Sequence, residues 1–145
     1  MRPTWDSTWA EIALVIAKRT TCVRRSVGAV VVRDNKLISC GFNGAPTKQP
    51  HCLDIGCIRN ELKIPSGERH EICRAVHAEE NALLQAGLNK TYGATMYVTL
   101  FPCNICAKKI VNAGIVRVVY LEEYTNKDAL DLLLSSNIIV ERGAV

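Results

Sequence analysis

From about Ala75 onward the chain alternates between two hydrophobic periods, and no other feature narrows its fold so far. A helical repeat over about Ala75–Ala86 is followed by a strand pattern at about Thr95–Leu100. A second helix, about Cys103–Ala113, ends at Gly114, a residue suited to a left-handed cap. The apolar run Ile115–Leu121 reads as a buried strand, Lys127–Leu134 as a helix and Ile138–Val140 as a last strand. Strands separated by helices pair in parallel. Upstream, Trp5, Trp9, Ile12, Ala13 and Ile16 recur at helical spacing, which predicts a helix over about Thr4–Arg19 with its tryptophans in the core. Val27–Val32 and Leu37–Phe42 flank Asp34-Asn35-Lys36 as a hairpin. The predicted architecture is α/β, a three-layer sandwich in which a mixed five-stranded sheet carries helices on both faces. Open sheets of this kind hold their sites at strand C-terminal ends, where Pro102 and Cys103 fall.

Two segments at helix starts carry the chemistry: His77-Ala78-Glu79 and Pro102-Cys103-Asn104-Ile105-Cys106. Imidazole and thiolate suit Zn²⁺, and a catalytic zinc takes three protein ligands and leaves its fourth position open. His77, Cys103 and Cys106 make that count. Glu79 is then free to act as a proton carrier for a water that the metal acidifies. Residues two apart on a helix differ by roughly 200° in direction, so His77 and Glu79 must lie where the backbone enters its first turn. Cys103 and Cys106, three apart, share a face at a helix N-terminus, where the dipole favours thiolate. A lone C-x-x-C also fits a structural zinc knuckle or a redox pair; the added H-x-E and the proline weigh against both. The combination H-x-E with P-C-x-x-C is the known signature of zinc nucleobase deaminases.

At 145 residues and 48% hydrophobic, the chain has the size of one domain with one sizeable core. Seven cysteines without a secretory leader pattern or a membrane-length apolar run predict a cytoplasmic protein with metal and thiol chemistry. The net charge of +4 permits a small anionic substrate and is too dispersed to demand nucleic acid or a membrane surface. Asn43 to about Arg74 reads as about thirty residues without clear secondary structure, a length that is usually functional or disordered. Cys52, Cys57 and Cys73 lie within it, and Cys22 stands just before the first strand. These four cysteines form a candidate second, structural zinc site that staples the segment, with His70 as the substitute ligand. Scattered reduced cysteines buried as small hydrophobes are the alternative, and Cys40 reads as core.

The chain resembles the deoxycytidylate (dCMP) deaminases of the zinc-dependent cytidine deaminase superfamily along nearly its whole length. The matching stretches are Lys18–Arg24, Val27–Val31, Gly41-Phe42-Asn43-Gly44, Val76–Ala82 and Tyr97–Ala107. H-A-E and P-C-x-x-C belong to the superfamily; Gly41-Phe42-Asn43-Gly44, Asn81 and the cysteine-bearing insert select within it. The resemblance implies a cytidine deaminase-like fold and hydrolysis of dCMP to dUMP and ammonia by zinc-activated water, with Glu79 as proton carrier. It implies that Asn43 binds the deoxyribose, although an Asn-Gly turn needs an asparagine on its own account. Arg24 is the cationic candidate for the 5′-phosphate, a solvated surface role being its alternative, and Tyr124 matches a tyrosine brought to the substrate. Relatives commonly hold a second zinc in the insert, assemble into homo-oligomers, often hexamers, and respond to dCTP and dTTP as effectors. Of these, oligomerisation is the property expected of this chain, with regulation by dCTP and dTTP left open. The competing functions are a free cytidine, dCTP or riboflavin-pathway deaminase, a tRNA adenosine deaminase, and a zinc-held interaction module without catalysis.

Overall fold

The computed structural model describes residues 1–124 and 126–145. The amphipathic N-terminal repeat forms α1 (Trp5–Ala17), whose N-cap Thr4 accepts a hydrogen bond from the Ser7 amide. Trp9 and Ala13 are buried beneath it, but Trp5 is 57% exposed and stacks on Trp9 at 5.3 Å, so only the second tryptophan joins the core. Strands β1 (Gly28–Arg33) and β2 (Lys36–Phe42) form the expected hairpin. Asp34 and Asn35 both take positive φ, as a two-residue turn matched to strand twist requires. Cys40 on β2 is half-buried at the margin of the core.

The segment read as irregular contains two one-turn helices, α2 (Cys52–Ile55) and α3 (Ile58–Glu61), and a 3₁₀ turn at His70–Ile72. Four residues are too few to show a helical period. Then follow α4 (Ala78–Ala86), α5 (Leu88–Thr91), β3 (Thr95–Leu100), α6 (Asn104–Asn112), β4 (Arg117–Glu122), α7 (Lys127–Ser135) and β5 (Ile139–Arg142).

The sheet order is β2-β1-β3-β4-β5, antiparallel across β2, β1 and β3 and parallel from β3 through β5. Successive side chains of β1 face opposite ways. Val30 and Val32 pack with Tyr97 and Val119 under α1, while Ala29 and Val31 pack with Met96, Val98 and Val118 under α4, α6 and α7. This gives the three layers, with α1 alone on one face. The side chain of Arg117 on β4 fastens that lone helix. It donates to both carboxylate oxygens of Asp6 (2.7 and 3.0 Å) and to Glu141 on β5 (2.6 Å). Tyr97 on β3 donates to Asp6 at 2.5 Å. The Arg117 guanidinium holds the Asp6 carboxyl down to about 2.

One glycine places the helix that bears the site. A Cβ at Gly41 on β2 would stand 2.5 Å from the backbone of both Ala78 and Ala82, so α4 rests directly on the strand. Asn81 reinforces the contact by donating to the Phe42 carbonyl at 2.8 Å. Gly41→Val is expected to cost about 1–3 kcal/mol through overpacking and to lower turnover as well, because α4 must move. Unchanged melting temperature and turnover would show that the helix adapts freely.

Candidate metal centre and substrate pocket

His77 occupies the N-cap of α4, in extended backbone, so Glu79 lies in the first turn. Glu80 completes a capping box by accepting from the His77 amide at 3.0 Å. Its other oxygen pairs with Lys109 on α6, which joins the two helices that carry the candidate ligands. Cys103 is the N-cap of α6, and its sulfur accepts from the Cys106 amide at 3.5 Å.

His77 Nδ1 stands 3.3 Å from Cys106 Sγ and 3.6 Å from Cys103 Sγ, and the three ligand atoms lie within 4.8 Å of one another. Bond lengths of about 2.3 Å to sulfur and 2.0–2.1 Å to nitrogen, at a tetrahedral angle, predict N···S separations of about 3.6 Å. The triangle therefore fits a tetrahedral zinc ion with its fourth vertex free. Glu79 lies outside the triangle, 4% exposed, in the wall of the adjoining pocket.

Electrostatics divide these groups. The Cys106 thiol donates to Cys103, which holds Cys103 down to about 4 as a thiolate, while the same bond and burial push Cys106 far up. Contact with Cys103, and then with Cys73, raises His77 to about 10. Without an ion the site therefore stores an imidazolium and a thiolate. Burial lifts the Glu79 carboxyl to about 7, where it exchanges protons readily near neutral pH.

The pocket beside the triangle takes its walls from both ends of the chain and from the insert. Arg24, Asn43, Arg59, His70, Glu79 and Tyr124 all line it. Asn43 is buried, and its side chain is already engaged: Oδ1 accepts from the Val27 amide (2.9 Å) and the Thr20 hydroxyl (2.7 Å), and Nδ2 donates to the Arg25 carbonyl (2.8 Å). One Nδ2 hydrogen remains for a ligand. Arg24 donates from Nε to Asn60 and from Nη2 to the Ile64 carbonyl, both at 2.5 Å, while its Nη1 is buried without a partner. Tyr124 OH lies 3.5 Å from His70 Nε2.

Cys22 and the three cysteines of the insert converge less tightly. Burial, and then repulsion from Cys22, Cys73 and Cys57, raises the Cys52 thiol, so the four are neighbours. Among the described residues, however, only His77, Cys103 and Cys106 bring three ligand atoms within 4.8 Å. His70 stands against the His77 ring, centroids 5.3 Å apart, and faces the pocket. Burial pushes its imidazole down. No motif singles out Arg59, one of three arginines, with Arg69 and Arg74, in an insert that reads as surface.

Residues 3–122 match the family described as the cytidine and deoxycytidylate deaminase zinc-binding region. The chain belongs to this family. It is 42% identical over 124 residues to the deoxycytidylate deaminase of Schizosaccharomyces pombe, covering 85% of this chain and 38% of that protein. It is also 42% identical over 127 residues to the deoxycytidylate deaminase of Mycobacterium phage D29, covering 84% of this chain and 98% of that one. The chain thus spans well under half the length of its yeast relative. Among solved structures, the dCMP deaminase of cyanophage S-TIM5 in complex with dCMP and dUMP superposes with a TM-score of 0.76 at 27% identity, over 99% of each chain. The fold of this family, a mixed five-stranded sheet between helical layers, is the fold observed here. No helix among the described residues is long and apolar enough to cross a membrane.

Proposed function

We propose that this protein hydrolyses dCMP to dUMP and ammonia, supplying the precursor of thymidylate. The observation that carries the reading is the His77, Cys103, Cys106 triangle beside a buried carboxylate that is not one of its ligands. Zinc held by the three residues supplies Lewis acidity, which brings the pKa of a water toward neutrality. Glu79 would take a proton from that water as its oxygen adds to C4 of the cytosine and deliver it to N3; it would then take the remaining proton of the new C4 hydroxyl and pass it to the amine as the C4–N bond breaks and the carbonyl forms. A carboxyl raised by burial serves both directions of transfer. Asn43 offers its remaining amide hydrogen to the deoxyribose. Arg24 presents its unpartnered Nη1 to the 5′-phosphate, and Tyr124 closes the pocket over the substrate.

A second zinc in the insert belongs to the same proposal, held by Cys22, Cys52, Cys57 and Cys73. The gathering of Cys22, Cys57 and Cys73 around Cys52 supports it, since these groups could be thiolates together only with a cation between them. Exposed Leu84 and Leu88 border a groove between α4 and α6, which supports a homo-oligomer. The reading also places the protein in the cytoplasm, a reducing compartment in which cysteines remain thiols able to hold metal.

Ammonia release from cytidine, deoxycytidine, CMP, dCMP, dCTP and an adenosine-bearing tRNA stem-loop tests the reading, alongside metal analysis. Turnover of dCMP far above the rest is expected, with about two zinc ions per chain. Activity on another substrate instead of dCMP would keep the site and overturn the substrate. Silence on all of them would leave a zinc-held interaction module. One zinc per chain would remove the insert site.

A further inference from the structure

We propose that Arg59, carried by the insert, makes the pocket selective for a phosphorylated nucleotide by closing with Arg24 on the 5′-phosphate; this deepens the dCMP reading and rests on it. Arg59 is 7% exposed, and its Nε is buried without a hydrogen-bond partner. A guanidinium in that position is costly unless an anion meets it. The ion pairs among the described residues include neither Arg59 nor Arg24. Arg24 repeats the pattern with its own buried, unpartnered Nη1. Its other two nitrogens are held by Asn60 and Ile64, residues that follow Arg59 closely in the insert. The insert therefore brings one arginine and orients the other.

Both side chains line the pocket that Glu79, His77 and Cys103 also line. The charge of Arg59 reaches Tyr124 and His70, two further pocket residues. A phosphate monoester brings nearly two negative charges and three acceptor oxygens, enough for both arginines at once. A nucleoside leaves the buried Nε of Arg59 and Nη1 of Arg24 unpaired, and a site built in this way rejects the unphosphorylated analogue. The competing role for Arg59 is counter-ion to the insert thiolates, since Cys57 is two residues away and its charge also acts on Cys73.

The deciding experiment compares the full chain with Arg59→Met, which keeps the bulk, and Arg59→Lys, which keeps the charge. It measures kcat/KM for dCMP and deoxycytidine, zinc content, and the rise in melting temperature caused by inorganic phosphate. The expected result is a fall of about a hundredfold in the preference of Arg59→Met for dCMP over deoxycytidine. Zinc should be retained and the protection by phosphate lost, with Arg59→Lys intermediate. Equal losses on both substrates, together with lost zinc, would assign Arg59 to the thiolates and overturn the proposal. Unchanged preference with unchanged phosphate protection would overturn it too. If the unaltered protein turns over neither substrate, the dCMP reading fails, while protection by phosphate in the parent and in Arg59→Met still decides the role of Arg59.

Discussion

Glu79→Gln is expected to lower dCMP turnover by about three to four orders of magnitude while zinc content and melting temperature stay at the parent level. The amide matches the carboxylate in shape but cannot take a proton from water or return one to an amine. It also removes a buried group that desolvation already pushes toward its neutral form, so the fold has no reason to weaken. Steady-state kinetics with metal analysis on the same preparation check both halves. Turnover within about tenfold of the parent would remove Glu79 from proton transfer. Lost zinc would instead make it a ligand or a support of the triangle.

Chelation is expected to abolish activity, and zinc to restore it with the release of about two protons from this site near pH 7.5. The count follows from the charges stored there. His77 is protonated up to about 10 and must give up its proton to bind through Nδ1. Cys106 holds a thiol proton far above neutrality, whereas Cys103, held down to about 4, has none to give. Because binding expels protons, affinity rises with pH, by about a hundredfold per unit while both groups start protonated, and falls as the medium acidifies. Calorimetry in buffers of different ionisation enthalpy gives the number, with the contribution of this site obtained by difference from Cys106→Ser. No proton release would mean that the ion meets a neutral imidazole and two thiolates already formed.

The sheet was readable because its strands carry clear period-2 or wholly apolar patterns: Thr95–Leu100 forms over the residues expected, and the Asp34-Asn35 turn fixes the hairpin. The site was readable because His77 with Glu79, and Cys103 with Cys106, sit at helix starts, where sequence neighbours remain neighbours in space. The insert was opaque for the opposite reason. Its helices are one turn long, and what its residues meet depends on contacts 36 to 54 positions away, such as Asn60 with Arg24 and His70 with Tyr124. Arg59 looks like any surface arginine until the pocket closes around it. Trp5 shows the converse limit, since helical spacing names the face of α1 but cannot say that Trp9 already fills the space against the sheet.

The Arg117 clasp sets the order in which the chain can be completed. Asp6 and its arginine are 111 positions apart, and the second carboxylate on that arginine comes later still, at Glu141. On a ribosome that adds about 5–20 residues per second, α1 is finished many seconds before its anchor emerges. During that interval only the β1–β2 hairpin can cover its tryptophan-bearing face, because Tyr97 and Val119 arrive with β3 and β4. Long-range closure of this kind slows folding and leaves apolar surface open to chaperones or to a neighbouring nascent chain. The vulnerable moment of this protein thus lies in its synthesis, at the helix on the sheet face opposite the candidate metal centre.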